Sequence, residues 1–268
     1  MTMKIMNVLA VLIFTVSCAC SALAQAPATK PDAKKGKVEY PADGVIDFNQ
    51  GTFEIWFKPL FDMSARPSGQ EIQCFLLYVG TANDQGLKVL CENVRTGGSI
   101  RVSSNFIKNP MAVNQEKLAW KPDEWHHFAM TWKYVDDPAP DKRNIQFVFY
   151  ADGKEYLKND NPLKGELPSA SSYVVRLGDP RYNNKALFDA VRFSSKARTA
   201  EEISASFNGG PKTDADTTLM DNFDRIQVLD KSRTNTMPDG KIKGIISGTY
   251  EKVLGKYGNA LKLSSEKF

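Results

Sequence analysis

Beyond its first two dozen residues this 268-residue chain has no long apolar run, and nothing there approaches the roughly 20 apolar residues a membrane-spanning helix requires. Histidine is equally scarce. The two present, His126 and His127, are adjacent, so on a strand they point to opposite faces and cannot act together on one metal or one substrate. Cysteine occurs four times, and only Cys74 and Cys91 lie outside the apolar start. A cysteine nucleophile needs a base nearby, and that histidine pair is all the sequence offers, which argues against thiol chemistry. The formal charge of +4 includes lysines near the start such as Lys34 and Lys35 and nowhere condenses into a basic face. Nucleic acid and anionic membrane are therefore not expected as partners. The sequence also contains no glycine-rich phosphate loop and no Ser/His/Asp arrangement.

What is present begins with a leader. Lys4 supplies a positive start, residues 5–16 are apolar except for Asn7 and Thr15, and Ala22, Leu23 and Ala24 precede Gln25 as a small-residue cleavage site. Residues 1–24 are expected to be an export signal, which makes the protein secreted, extracellular or periplasmic. Cys18 and Cys20 admit a second reading, the lipidated cysteine of a bacterial lipoprotein, although Thr15, Val16 and Ser17 match the usual Leu-first motif poorly. Residues 25–37 are mostly Ala, Pro and Lys and read as a solvated tether. Residues 38–268 remain for one domain, a length that suits an all-β sandwich.

The dominant period in those residues is two. Phe53, Ile55 and Phe57 place apolar groups on one face while Glu54, Trp56 and Lys58 occupy the other, and Ile145, Phe147 and Phe149 repeat the pattern before a turn at Asp152 and Gly153. Two apolar runs around a turn at Ala82 and Asn83 read as a hairpin that sets Cys74 opposite Cys91. Cross-strand spacing lies within a disulfide's range and export permits oxidation, so a Cys74–Cys91 bridge is expected. Two reduced thiols acting as small hydrophobes are the alternative. One helix is evident. Thr199 and Glu202 form a capping box, Ile203 and Phe207 supply an apolar contact one turn apart, and Gly209, Gly210 and Pro211 end it.

Several motifs in fixed order carry a resemblance. Gly51, Thr52, Trp56 and Pro59 are followed by Trp125, His126 and His127, then Asp152 and Gly153, then Asp189, Arg198 and Thr199. In that order they resemble the laminin G-like jelly roll of the concanavalin A-like lectin/glucanase superfamily, which implies a two-sheet antiparallel jelly-roll sandwich with one short helix. One departure stands out. The family's opening strand, of the form Gly-x-x-Gly-x-Ala-Leu, should precede Val38 but its copy closes the chain at Gly255, Gly258, Ala260 and Leu261, after Asp221, Asp224 and Asp230. Either the domain is circularly permuted, with residues 217–263 supplying the strands that normally open it and residues 257–263 lying beside residues 38–48, or a second repeat begins there. Permutation is the favoured reading, because a sandwich without those strands would expose sheet edges.

The same resemblance guides the search for chemistry. Jelly-roll glycosidases resemble one another in a Glu-x-Asp-x-x-Glu strand that places two carboxylates on one face, and no such strand occurs here. Asp136 and Asp137 read as a loop and Glu201 and Glu202 as a first helical turn. Glycan recognition uses exposed aromatics with amides around them, and the candidates are Trp56, Trp120, Tyr134, Tyr182, Asn183 and Asn184. Relatives often hold calcium near an Asp-rich opening loop, which makes Asp189, Asp221, Asp224 and Asp230 the candidate ligands of a calcium ion. The expected function is that of an exported, non-catalytic carbohydrate-binding module with a glycan or polysaccharide as partner. A structural or adhesive module that binds a cell-surface protein is the alternative, and an atypical glycoside hydrolase or polysaccharide lyase is a third reading.

Overall fold

Alternating apolar and polar side chains suit a strand because successive residues face opposite sides of a sheet, and strands make up nearly all of the regular secondary structure described in the computed structural model. It describes residues 36–64, 71–81, 85–136, 143–182, 184–224, 226–229, 232–236 and 243–263. The expected leader with Cys18 and Cys20, the tether as far as residue 35, the turn at Ala82 and Asn83, and also Asn183 and Asp230, lie outside the described residues. Lys37, expected to end the tether, is instead the first residue of a strand.

In chain order the elements begin with β1 (Lys37–Pro41), β2 (Gln50–Pro59), β3 (Ile72–Gly80), β4 (Gly86–Val94), β5 (Gly97–Ser104) and β6 (Met111–Asn114). The short helix α1 (Gln115–Leu118) leads to β7 (His126–Asp136), β8 (Arg143–Ala151), β9 (Lys154–Pro162), β10 (Val174–Leu177) and β11 (Ala186–Ser194). Helix α2 (Ala200–Gly209) precedes β12 (Thr217–Asp221), β13 (Ile226–Leu229), β14 (Ser232–Thr236), β15 (Lys243–Ser247), β16 (Glu251–Leu254) and β17 (Asn259–Lys262).

One sheet runs β13-β14-β15-β1-β10-β3-β4-β5-β6 and the other β16-β17-β11-β2-β7-β8-β9, with β12 also on β11. All these pairings are antiparallel. The result is the two-sheet jelly-roll sandwich that the resemblance implied. Phe53, Ile55 and Phe57 of β2 join Phe128, Met130, Phe147, Phe149, Phe188 and Phe193 of the same sheet in one buried cluster. Val38, Val79, Val89, Ile100, Val102 and Val175 of the opposing sheet complete it.

The residues after 216 lengthen both sheets. β15 pairs with β1, while β12 and β17 share one side of β11, β12 along its end and β17 at its start. Between these partners β11 bulges, with Ala190 at φ 46°. The neighbour of β1 is therefore residues 243–247 and not residues 257–263, a correction to the expected register. Leu261 is fully buried in the intersheet core, and reaching it draws β17 to β11. Of residues 257–263 it is Leu263 that meets the start of the domain, where its carbonyl accepts from the Gly36 N–H at 2.9 Å.

The local signals hold. Asp152 and Gly153 both have positive φ, 49° and 76°, as a two-residue hairpin turn between β8 and β9 demands. Thr199 caps α2 through the Glu202 N–H while Glu202 reaches back to the Thr199 N–H, and Gly210 at φ 76° closes the other end. Cys74 and Cys91 are direct cross-strand partners, yet both are free thiols, which corrects the expected disulfide. Both are completely buried, burial pushes both thiols up, and the Cys91 thiol faces the Met63 sulfur at 3.5 Å, so the pair packs as small hydrophobes.

Candidate functional site

At one end of the sandwich the β4–β5 turn, the Met63–Ser64 segment and the α1 region surround a cleft of about 420 Å³. Its floor includes the buried Met63, Gly98, Gln115 and Trp120, and its rim the exposed Ser64, Thr96, Asn114, Glu116 and Lys121. Local chemistry fixes each wall. The Asn93 amide donates to the Asp62 carbonyl at 2.7 Å, and the Asp62 carboxylate turns the chain by accepting from the Ser64 N–H. Gly98 lies so close to this segment that a Cβ would stand 2.2 Å from the Met63 carbonyl oxygen, so a larger residue would push the wall apart. Asn114 precedes α1 without capping it, which leaves its amide on the rim. Gln115 donates through Nε2 to the Trp120 carbonyl, and this fixes the amide so that Oε1 is the atom left buried without a partner.

Trp120 lines this cleft but is not an open platform, which corrects one expectation. Its ring stacks on His126 at 4.5 Å and meets Phe57 edge-on at 5.3 Å, and its Nε1–H donates to Asp152 Oδ2 at 2.7 Å. Asp152 also lies 3.0 Å from His126 Nδ1 and accepts from the His127 N–H. Burial would raise this carboxyl, but the bonds from His126, His127 and Trp120 outweigh burial and hold it below the ordinary range.

Trp56 is corrected more sharply. It points to the outer face of its sheet as the alternation required, but α2 and the β16–β17 turn close over it and leave 2% exposed. Phe207 stacks on it at 5.5 Å, Tyr257 meets it edge-on, and the Lys256 ammonium lies 4.9 Å over its ring. Beside it under α2 is a buried ion pair. Arg192 Nε donates to Glu54 Oε1 at 2.8 Å, and His127 Nε2 stands 3.3 Å from Glu54 Oε2. Burial pushes Glu54 up, but nearby His127 and the charge of Arg192 prevail and keep its carboxyl below the ordinary range. A carboxylate sealed to 1% exposure and held by a guanidinium has no route to a substrate.

The remaining candidates fall into separate places. Asn184 is buried, corrected from an exposed amide to a loop brace: Nδ2 donates to the Gly36 and Asp179 carbonyls and Oδ1 accepts from the Asp179 N–H. Tyr134 is half-buried at the end of β7, opposite Ile145. Tyr182 is half-buried on the far sheet, packed on Phe75 at 5.0 Å with the Arg181 guanidinium 5.6 Å over its ring.

The aspartates do not converge on one point. Asp221 accepts from the Tyr40 hydroxyl and the Phe223 N–H, and Asp224 from the Asn259 N–H, the Asn259 amide and the Asn222 amide. Asp189 accepts from the Tyr257 N–H at 2.8 Å, and Gly255 passes so near that a Cβ would lie 2.5 Å from its Oδ2. Burial lifts the Asp189 carboxyl to about 7 despite bonds from the Tyr257, Lys256 and Ala190 backbone, and the Asp224 charge adds to the rise. Among the described residues no group of three or more His, Cys, Asp or Glu is placed to hold a metal ion. These side chains close turns, a common use of aspartate.

Most of the cleft was not foreseen from the sequence. Apart from Trp120, its lining comes from a hairpin turn, a strand end and a four-residue helix, and a single local signal, the Gly97 and Gly98 pair, marks any of it. No helix of the described residues is long and apolar enough to cross a membrane.

A family model described as the concanavalin A-like lectin/glucanases superfamily matches residues 32–204. No curated protein matches the sequence. Among solved structures, the binding domain of botulinum neurotoxin serotype G is similar at 11% identity and TM-score 0.34, over 81% of this chain and 50% of that one. A receptor binding domain is similar at 10% identity and TM-score 0.41, over 73% and 47%. The alginate lyase from Klebsiella pneumoniae is similar at 10% identity and TM-score 0.25, over 56% and 61%. The chain thus spans about half the length of the first two, and likenesses this remote assign neither ligand nor activity.

Proposed function

This chain belongs to the concanavalin A-like lectin/glucanase superfamily, and from that premise we propose that it is an exported, non-catalytic module that binds carbohydrate in the cleft between Thr96 and Lys121. The cleft itself carries the reading. A sugar presents many hydroxyls, and here hydroxyl, amide, carboxylate and ammonium groups ring a buried floor in a volume within the usual range of small-ligand sites. Trp120 contributes a floor edge and no stacking face, so the selectivity rests on hydrogen bonds. In support of a non-catalytic role, Glu54 and Asp189 are enclosed, and among the described residues the one carboxylate on the cleft rim is Glu116. Export rests on the leader in residues 1–24.

A glycan array probed with exported protein, whose intact mass should begin at Gln25, tests the whole reading. We expect saturable recognition of a sugar and its loss in an Asn114→Ala, Glu116→Ala double variant, both positions being exposed and cheap to change. Absence of any sugar binding alongside capture of a defined cell-surface protein would replace this reading with that of an interaction module. Hydrolysis or elimination on a polysaccharide panel, abolished by changing one carboxylate, would make it an enzyme.

A further inference from the structure

The floor of the cleft carries one polar atom that folding leaves unserved. Gln115 is 7% exposed, its Nε2 donates to the Trp120 carbonyl, and its Oε1 has no partner among the described residues. A carbonyl can only accept, so the amide nitrogen must be the atom on Trp120 and the spare atom is an acceptor. Buried acceptors are nearly always paired. A donor brought in by a ligand therefore gains more at Oε1 than on the rim, where water already serves the exposed groups.

The neighbours of this acceptor are apolar. Ser99 pairs with Asn114, so the chains running on from that pair bring Gly98 beside Gln115, and Gly98 in turn touches Met63. Trp120 adjoins the same amide through its carbonyl. Gln115 thus sits among a thioether, a bare stretch of backbone and an indole edge, all lining the cleft. A lone hydroxyl would satisfy Oε1 and leave that surface uncovered. A group that joins an N–H to a methyl serves both at once, and if it also carries a carbonyl, the Asn114 amide and the Lys121 ammonium are donors on the rim above it. Oε1 is covered while the cleft is empty of ligand, and Met63, unbranched and adaptable, is the neighbour able to shift and admit a small group.

We propose that the cleft is specific for an acetamido sugar, whose amide N–H donates to Gln115 Oε1, whose methyl packs against Met63 and Trp120, and whose carbonyl accepts from the rim. The proposal rests on the carbohydrate reading above and narrows it to one class of sugar. Gln115 becomes the residue that sets specificity.

Calorimetric titration with the methyl glycosides of N-acetylglucosamine and N-acetylgalactosamine, each beside its 2-hydroxy parent and its 2-O-acetyl analogue, decides the matter. At least one acetamido sugar should bind at least about tenfold more tightly than both of its counterparts, since the parent hexose lacks the methyl and the ester lacks the N–H. Gln115→Leu should bring the ratio of acetamido sugar to ester close to one, and the Asn114→Ala, Glu116→Ala variant should lose binding, which places the sugar in the cleft. Gln115→Leu also removes the bond to Trp120, so its thermal melt is measured first. If that variant does not fold, the ester comparison on the parent protein carries the test. Equal binding of the ester, or a preference that survives in folded Gln115→Leu, overturns the proposal. A protein that binds sugars in the cleft without regard to the acetamido group loses this specificity alone; one that binds no sugar loses the carbohydrate reading with it.

Discussion

Asp189 and Glu54 are both carboxyl groups sealed from water, and their surroundings push them in opposite directions. Glu54 has Arg192 and His127 against it and stays charged, so the stability it contributes is present above its ordinary value and is lost on acidification. Asp189 is raised from an ordinary 3.8 to about 7, mainly by burial. Its contribution is therefore complete below 3.8 and is lost as pH rises through about 7. Asparagine at this position can still accept from the Tyr257 N–H but cannot ionise. We expect the melting temperature of Asp189→Asn to fall less than that of the parent between pH 4 and pH 8, and parallel curves would reject the assignment. The sequence marked Asp189 as notable but not what it does, because its partners come from a turn far along the chain. Trp56 was legible in the same partial way: alternation showed that it leaves the core face, and only the fold shows Phe207 and Tyr257 on top of it.

At the scale of elements, α2 works as a lid fixed to the outer face of its sheet. Its start and stop were readable because capping is local chemistry, and so was the Asp152 and Gly153 hairpin turn. Where the helix docks was not readable, since docking depends on Trp56 from β2 and on the buried Glu54–Arg192 pair. The two kinds of interaction differ in size, and this gives a measurable contrast. Trp56→Ala leaves a cavity beneath Phe207 and should cost about 3–5 kcal/mol, whereas Thr199→Ala removes a cap and should cost about 1 kcal/mol. Urea unfolding of both variants checks the ratio, and near-equal losses would mean that the helix is not packed tightly on the sheet. The cleft illustrates the limit of local reading, for its walls are short turns that no periodicity announces.

For the whole molecule the informative region is residues 217–263, which the matched family model, ending at residue 204, does not include. A strand-like tail was visible in the sequence, but its neighbours were not, because strand order is set by which face must be buried. Leu219, Phe223, Leu261 and Leu263 are all essentially buried. Removing everything after Asp216 would strip β12, β15 and β17 from their partners and expose the sides of β1 and β11. The truncated protein should lose cooperative unfolding or aggregate, and an unchanged melting transition would show that the sandwich closes without these strands. The bond between Gly36 and Leu263 has a mechanical consequence as well. Because Gly36 and Leu263 are adjacent, tension applied between them would be borne first by that bond and by the Asn184 amide on the Gly36 carbonyl, before β1 and β17 are drawn from between their neighbours. Tension applied between a bound ligand and either end would instead load whole ladders in shear, so the same domain would yield easily to one pull and hold against the other.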